Sequence, residues 1–160
     1  MEIERKFLVP AAPGDLGAHP SSPIEQGYLA IHPDGTEVRV RRRAGVSTMT
    51  IKSGGGLVRV EEELPLDDAA FERLWPLTEG RRLEKVRHLI PGGAEGVVIE
   101  LDVYTGELAG LVVAEIEFPG EAEAAAFAAP EWLGRDVTDD ARFKNQRLAV
   151  EGRPDDAPSG

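Results

Sequence analysis

Charged side chains recur at every second position in short runs: Glu2, Glu4 and Lys6; Arg39, Arg41 and Arg43; Glu61 and Glu63; Lys85 and Arg87; Glu100 and Asp102; Glu115 and Glu117. Acids and bases fall mostly in separate runs. Grouped carboxylates hold hard cations through oxygen, whereas grouped guanidinium and ammonium groups hold phosphates. Like charges two residues apart on a strand sit about 7 Å from one another and repel. A counter-ion or an anionic ligand removes that repulsion. Magnesium is normally held by one or two carboxylates together with substrate phosphate oxygens, so acids facing bases across a shared space suit that pairing.

The elements that must position these groups follow from the same spacing. Side chains at i, i+2 and i+4 share one face of a β-strand. The alternate positions are apolar: Ile3 and Phe7, Val38 and Val40, Ile99, Leu101 and Val103, Ile116 and Phe118. Each run is therefore a strand with one charged and one apolar face. Apolar faces packed under helices leave the charged faces lining something shared, and a sheet rolled into a barrel makes them a wet, charged lumen.

Along the chain, Pro10 to Pro23 reads as a loop before a strand at Ile24–Ile31, and His32-Pro33-Asp34-Gly35 reads as a hairpin turn. Strands at Glu37–Arg43, Thr48–Lys52 and Val58–Leu64 complete a meander, with turns at Ala44-Gly45 and Gly54-Gly55-Gly56. The period changes from Pro65 to Trp75, where Leu66, Ala69, Ala70, Phe71 and Leu74 share a helical face, Asp67 and Asp68 suit its start, and Pro76 stops it. Strands follow at Leu83–Ile90, Val97–Tyr104 and Val112–Phe118, then a short helix from Glu121 to Ala128. Thr138 is placed to cap a terminal helix from Asp139 to about Val150. The expected fold is α+β, an eight-stranded antiparallel barrel with flanking helices and a C-terminal helix. It occupies residues 1–150 as one domain, with 151–160 as a disordered tail.

Composition bounds the function. The 160 residues are 41% apolar and 29% charged, with a net charge of −11. That acidic balance argues against a duplex nucleic-acid binder but not against a small anion, because a local basic cluster governs the field in a concave site. No apolar run reaches the ~20 residues that span a bilayer, and Met1 to Lys6 lacks the apolar stretch of a secretory leader, so the expected address is the cytoplasm. Without cysteine there is neither a disulfide framework nor a thiolate metal site. A homodimer is compatible with the chain, though no residue selects it.

For any single run, the solvated face of a half-exposed sheet is explanation enough; recurrence on most strands is what calls for a ligand. Arg42, Arg43, Arg81 and Arg82 are as well explained by solvation. Gly54-Gly55-Gly56 lacks the Lys-Ser/Thr and following helix of a phosphate-binding loop. His19, His32 and His88 have no ligand spacing, and Trp75 and Trp132 read as packing residues.

Met1 to Phe7 carries an ExExK pattern, followed in order by Gln26-Gly27-Tyr28-Leu29, Glu37 to Arg41, Thr50 to Gly54, Glu79 to Arg87, Ile99 to Val103, Val113 to Phe118, Val137-Thr138-Asp139 and Phe143-Lys144-Asn145. ExExK alone arises by chance. The ordered series, running from Met1 to about Val150, resembles the CYTH superfamily, the triphosphate tunnel metalloenzymes, in its short bacterial form. The resemblance implies an eight-stranded tunnel that hydrolyses triphosphate-containing small molecules with Mg²⁺ or Mn²⁺, tripolyphosphate being the expected substrate. It also implies roles. Lys6, Arg39, Arg41, Lys52, Arg59, Lys85 and Arg87 would bind phosphates. Glu2, Glu4, Glu61, Glu63, Asp102, Glu115 and Glu117 would hold metal, and Glu2, Glu4 and Lys85 would form the catalytic set. Arg59, Glu61 and Glu63 share a face, and the resemblance favours Glu63 of the two acids. The alternatives are a class IV adenylyl cyclase, a thiamine triphosphatase, and a polyphosphate-binding module without turnover.

Overall fold

The structure, a computed structural model, describes residues 3–53 and 60–157. Glu2, Arg59, the Gly54-Gly55-Gly56 turn and the expected start of a strand at Val58 lie outside the described residues. Eight strands form one antiparallel sheet: β1 (Ile3–Leu8), β2 (Ser21–Ile31), β3 (Glu37–Arg43), β4 (Val46–Lys52), β5 (Glu61–Leu66), β6 (Arg82–Pro91), β7 (Val98–Thr105) and β8 (Val112–Phe118), in the order β1-β8-β7-β6-β2-β3-β4-β5. The sheet curls around its charged face. It is not closed by hydrogen bonds, since among the described residues β1 and β5 remain its edges. Both edges carry acids at lumen-facing positions, Glu4 on β1 and Glu61 and Glu63 on β5.

Local chemistry explains the connections. Ala44 and Gly45 both have positive φ, 48° and 83°, the twist that joins β3 to β4 in a two-residue hairpin. A bulge at Leu29 shifts the β2–β3 register between Tyr28 and Ala30 and re-aims the strand beside the cavity. Gly27 is required by crowding, because a Cβ there would meet Thr78 Oγ1 at 2.5 Å.

The first helix, α1 (Asp68–Leu74), is capped by Asp67, whose side chain accepts from the Ala70 N–H. Pro76 does not end the helical path there: the chain tightens into a 3₁₀ turn over Trp75–Thr78. The second helix, α2 (Glu121–Ala126), is shorter than its composition suggested. The expected terminal helix is divided. A 3₁₀ turn over Ala141–Phe143 is capped by Asp140, Lys144 is extended (φ −66°, ψ 140°), and α3 (Asn145–Glu151) follows. Thr138 instead accepts a hydrogen bond from the Lys6 N–H, so its side chain ties β1 to this segment. Beyond α3, Asp156 pairs with Arg135 and Arg142, and Ala157 packs against the core. Among the described residues no helix is long and apolar enough to cross a membrane.

Two apolar clusters flank the sheet. The convex one gathers Phe7, Ile99, Leu101, Ala114, Ile116 and Phe118 under α2 and Leu133. The other lies on the same face as the charged row: Leu8, Leu83, Tyr104 and Val113 pack with Phe143 and Leu148. The C-terminal segment thus closes one end of the curled sheet with an apolar floor, and the charged row stands above it.

Candidate active site

Above this floor lies a cavity of about 650 Å³ lined by charged residues from most strands. Register explains the convergence. Across β1 and β8, Glu4 faces Glu117 and Lys6 faces Glu115; across β8 and β7, Glu115 faces Glu100; across β7 and β6, Asp102 faces Arg87. On the opposite side Tyr28 faces Arg39, Gln26 faces Arg41, and Glu37 faces Lys52, which faces Glu61.

Glu4, Glu100, Glu115 and Glu117 form an acidic wall on β1, β7 and β8. Burial, and then the charges of Glu115, Glu117 and Glu100 against the partial relief of Lys6, raise the Glu4 carboxyl above its ordinary range. This is the electrostatic mark of carboxylates gathered beyond what their neighbours neutralise. Lys6, Arg39, Arg41, Lys52 and Arg87 supply the bases, with Lys144 beside Asn145 at the start of α3. Arg41 is drawn down to about 10 by burial and by the like charges of Arg39 and Arg87. It is a desolvated cation crowded by cations, and an anion relieves both penalties. Arg39 Nε is buried with no hydrogen-bond partner among the described residues.

Beneath the bases sits a saturated ion network. Asp102, fully buried, accepts from Lys85 Nζ at 2.7 Å on one oxygen, and from Arg87 at 2.8 and 2.9 Å on both. Burial works to raise its carboxyl, but the Lys85 and Arg87 cations outweigh that and hold it below the usual range. Arg87 also pairs with Glu100 at 2.7 Å and approaches Glu115 at 3.9 Å, and Lys6 pairs with Glu115 at 3.3 Å. Arg87 is the hinge between the two walls.

The structure therefore brings Glu4, Lys6, Arg39, Arg41, Lys52, Glu61, Arg87, Glu115 and Glu117 to one cavity. Lys85 and Asp102 lie below it in the floor. Glu63 shares the face of Glu61 by alternation, opposite Thr50, but is not among the lining residues. Tyr28, Gln26, Glu37 and Lys144 were not singled out by charge alternation. Gln26 and Tyr28 are neutral, Glu37 is an acid inside a basic run, and Lys144 enters from a different part of the chain. The available signal for them was the ordered series, which contains Gln26-Gly27-Tyr28-Leu29, Glu37 to Arg41 and Phe143-Lys144-Asn145.

The chain is 47% identical over 152 residues to the inorganic triphosphatase of Nitrosomonas europaea, covering 93% of this chain and 97% of that protein. The chain belongs to the inorganic triphosphatase family. A second inorganic triphosphatase, from Acetivibrio thermocellus, is 38% identical, with 92% of each chain covered. A solved inorganic triphosphatase structure superposes with a TM-score of 0.76 at 43% identity, over 94% of this chain and 95% of that one. A putative adenylyl cyclase from Hippeastrum, described with a dominant triphosphatase activity, shares the fold at a TM-score of 0.51 and 16% identity, over 78% of this chain and 82% of that one. No protein-family model matches the chain. Membership of the family makes the protein a hydrolase, and the paired walls are the feature of this chain that such chemistry has to use.

Proposed function

We propose that the protein hydrolyses inorganic tripolyphosphate to pyrophosphate and phosphate with a divalent cation, Mg²⁺ or Mn²⁺. The observation that carries this reading is the opposition, in one cavity, of an acidic wall and a set of bases that includes the desolvated Arg41. The relatives named inorganic triphosphatases at 47% and 38% identity support the substrate class.

The donor set fits the cation. It is carboxylate oxygen throughout, which hard cations prefer, and its mutual repulsion is relieved by positive charge. Glu4, Glu100, Glu115 and Glu117 would hold it. Among the described residues no three acids or histidines are already gathered as a preformed metal group, so the fit rests on donor chemistry. A bound divalent cation would neutralise phosphate oxygens and make a bound water more acidic.

The chain's own residues supply the rest. Lys6, Arg39, Arg41, Lys52 and Arg87 offer forked and point-charge donors to a linear phosphate chain, fixing it in line and offsetting charge that shifts to the leaving pyrophosphate. Lys85 adds positive potential from the floor, held there by Asp102. The described lining residues include no Ser, Thr, Cys or His, and this reading gives the attack to water, with positioning and electrostatics providing the rate.

The experiment is phosphate release from tripolyphosphate, ATP and thiamine triphosphate, each with Mg²⁺, Mn²⁺ or EDTA. Fast, EDTA-sensitive release from tripolyphosphate is expected. Turnover of ATP with negligible turnover of tripolyphosphate overturns the reading.

A further inference from the structure

Gln26 is fully buried between two residues of the basic side of the cavity. Arg41 Nε donates to Gln26 Oε1 at 2.8 Å, and Gln26 Nε2 donates to the Tyr28 hydroxyl oxygen at 2.7 Å. An arginine nitrogen only donates, so the amide atom facing it must be the carbonyl oxygen. The amide nitrogen is then turned toward Tyr28, because exchanging the two ends would set the amide N–H against the Arg41 Nε–H, donor against donor. The Tyr28 oxygen thus accepts, and its single proton has to point elsewhere. Tyr28 lines the cavity, so an anion bound there can accept that proton. Burial, and then the charge of Glu37, push the hydroxyl up to about 12, so the proton stays on it at neutral pH.

We propose that Gln26 is a positioning residue, which keys the Tyr28 hydroxyl as a hydrogen-bond donor to the bound phosphate chain by reading the fixed donor of Arg41. The inference rests on the triphosphate reading of the cavity. Tyr28 touches the substrate; Gln26 acts through it. The same amide holds the Arg41 guanidinium by Nε, which leaves its terminal nitrogens for the anion.

The test is a double-mutant cycle on the full chain with Gln26→Leu and Tyr28→Phe. It is read in tripolyphosphate binding by calorimetry in EDTA and in kcat and KM with Mg²⁺. Gln26→Leu is expected to weaken binding by about tenfold, as loss of one aimed hydrogen bond to a charged group does. In the Tyr28→Phe background the same change should cost no more than about threefold, because the two residues act as a unit. Additive losses, or wild-type binding by Gln26→Leu, overturn the proposal. Melting curves of all four proteins separate folding from binding, and Gln26→Asn, too short to reach both partners, replaces Gln26→Leu if the latter does not fold. Additive losses in a protein that still hydrolyses tripolyphosphate sink this inference alone. A wild-type protein that binds tripolyphosphate without hydrolysing it sinks the functional reading and leaves the cycle to judge Gln26.

Discussion

Lys85 Nζ lies 2.7 Å from Asp102 Oδ2, and neither side chain is exposed to solvent. Arg87, directly opposite Asp102 across the β6–β7 ladder, occupies the same carboxylate. Two cations on one buried anion form the base on which the cavity's chemistry stands, because Arg87 reaches up from it to Glu100 and Glu115.

Asp102→Asn should therefore unfold at markedly lower denaturant, by about 3–5 kcal/mol, the usual loss when one partner of a buried pair is removed. Asp102 has a depressed carboxyl, so its stabilisation is present above the unfolded carboxylate value of ~3.9 and is lost as pH falls through the lower folded value. The variant should accordingly show a weaker acid dependence of stability below that pH. Denaturant titrations at pH 7 and at low pH check both; a change under about 1 kcal/mol at pH 7 would count against the buried network.

Glu4 has the opposite sign. Its folded carboxyl is raised, so stability is fully present below the unfolded value and is lost as pH rises through the folded one. Glu4→Gln should leave the metal-free protein at least as heat-stable at pH 7, while turnover drops by about 100-fold or more through loss of a cation-holding oxygen. Glu100→Gln should raise the Mg²⁺ concentration needed for half-maximal rate without unfolding the protein. Activity assays across a Mg²⁺ series, paired with melting curves, read both variants.

Arg41→Ala should raise KM for tripolyphosphate by roughly 10- to 100-fold, the range for a lost hydrogen bond between charged groups. Arg41 remains a cation over the neutral range even at about 10. The loss should hence be nearly constant from pH 6 to pH 8. A KM equal to wild type would remove Arg41 from the binding set.

Asp156 pairs with Arg135 and Arg142, and Arg142 also holds Asp140, whose carboxyl is lowered to about 2 chiefly by that hydrogen bond. These contacts are exposed and screened by salt. Asp156→Asn, or wild-type protein in high salt, should show faster amide exchange in Asn145–Glu151 with little change in the sheet. Hydrogen exchange read by mass spectrometry checks it, and unchanged exchange in that helix would mean that the apolar floor alone holds it.

What the sequence determined by itself is local and periodic. Alternation of charged with apolar residues identifies β1, β3, β6, β7 and β8 and tells which side chains share a face, because a strand has a period of two whatever it packs against. Asp67 marks the start of α1 for an equally local reason, a side chain bonding to a backbone N–H three residues on. The ordered motifs carried the family. Tertiary structure alone decided how far along each face the cavity extends. Glu100 and Asp102 are two residues apart on one face, yet Glu100 lines the cavity and Asp102 lies in the floor. That division depends on Phe143 and Leu148, which pack beside Leu8 and Leu83 from far along the chain. The break at Lys144 has the same origin, since Lys6 donates to the Phe143 carbonyl and Tyr104 to Asn145 on either side of it. Contacts spanning 41 and 137 residues leave no period in the sequence; only the folded chain brings the partners together.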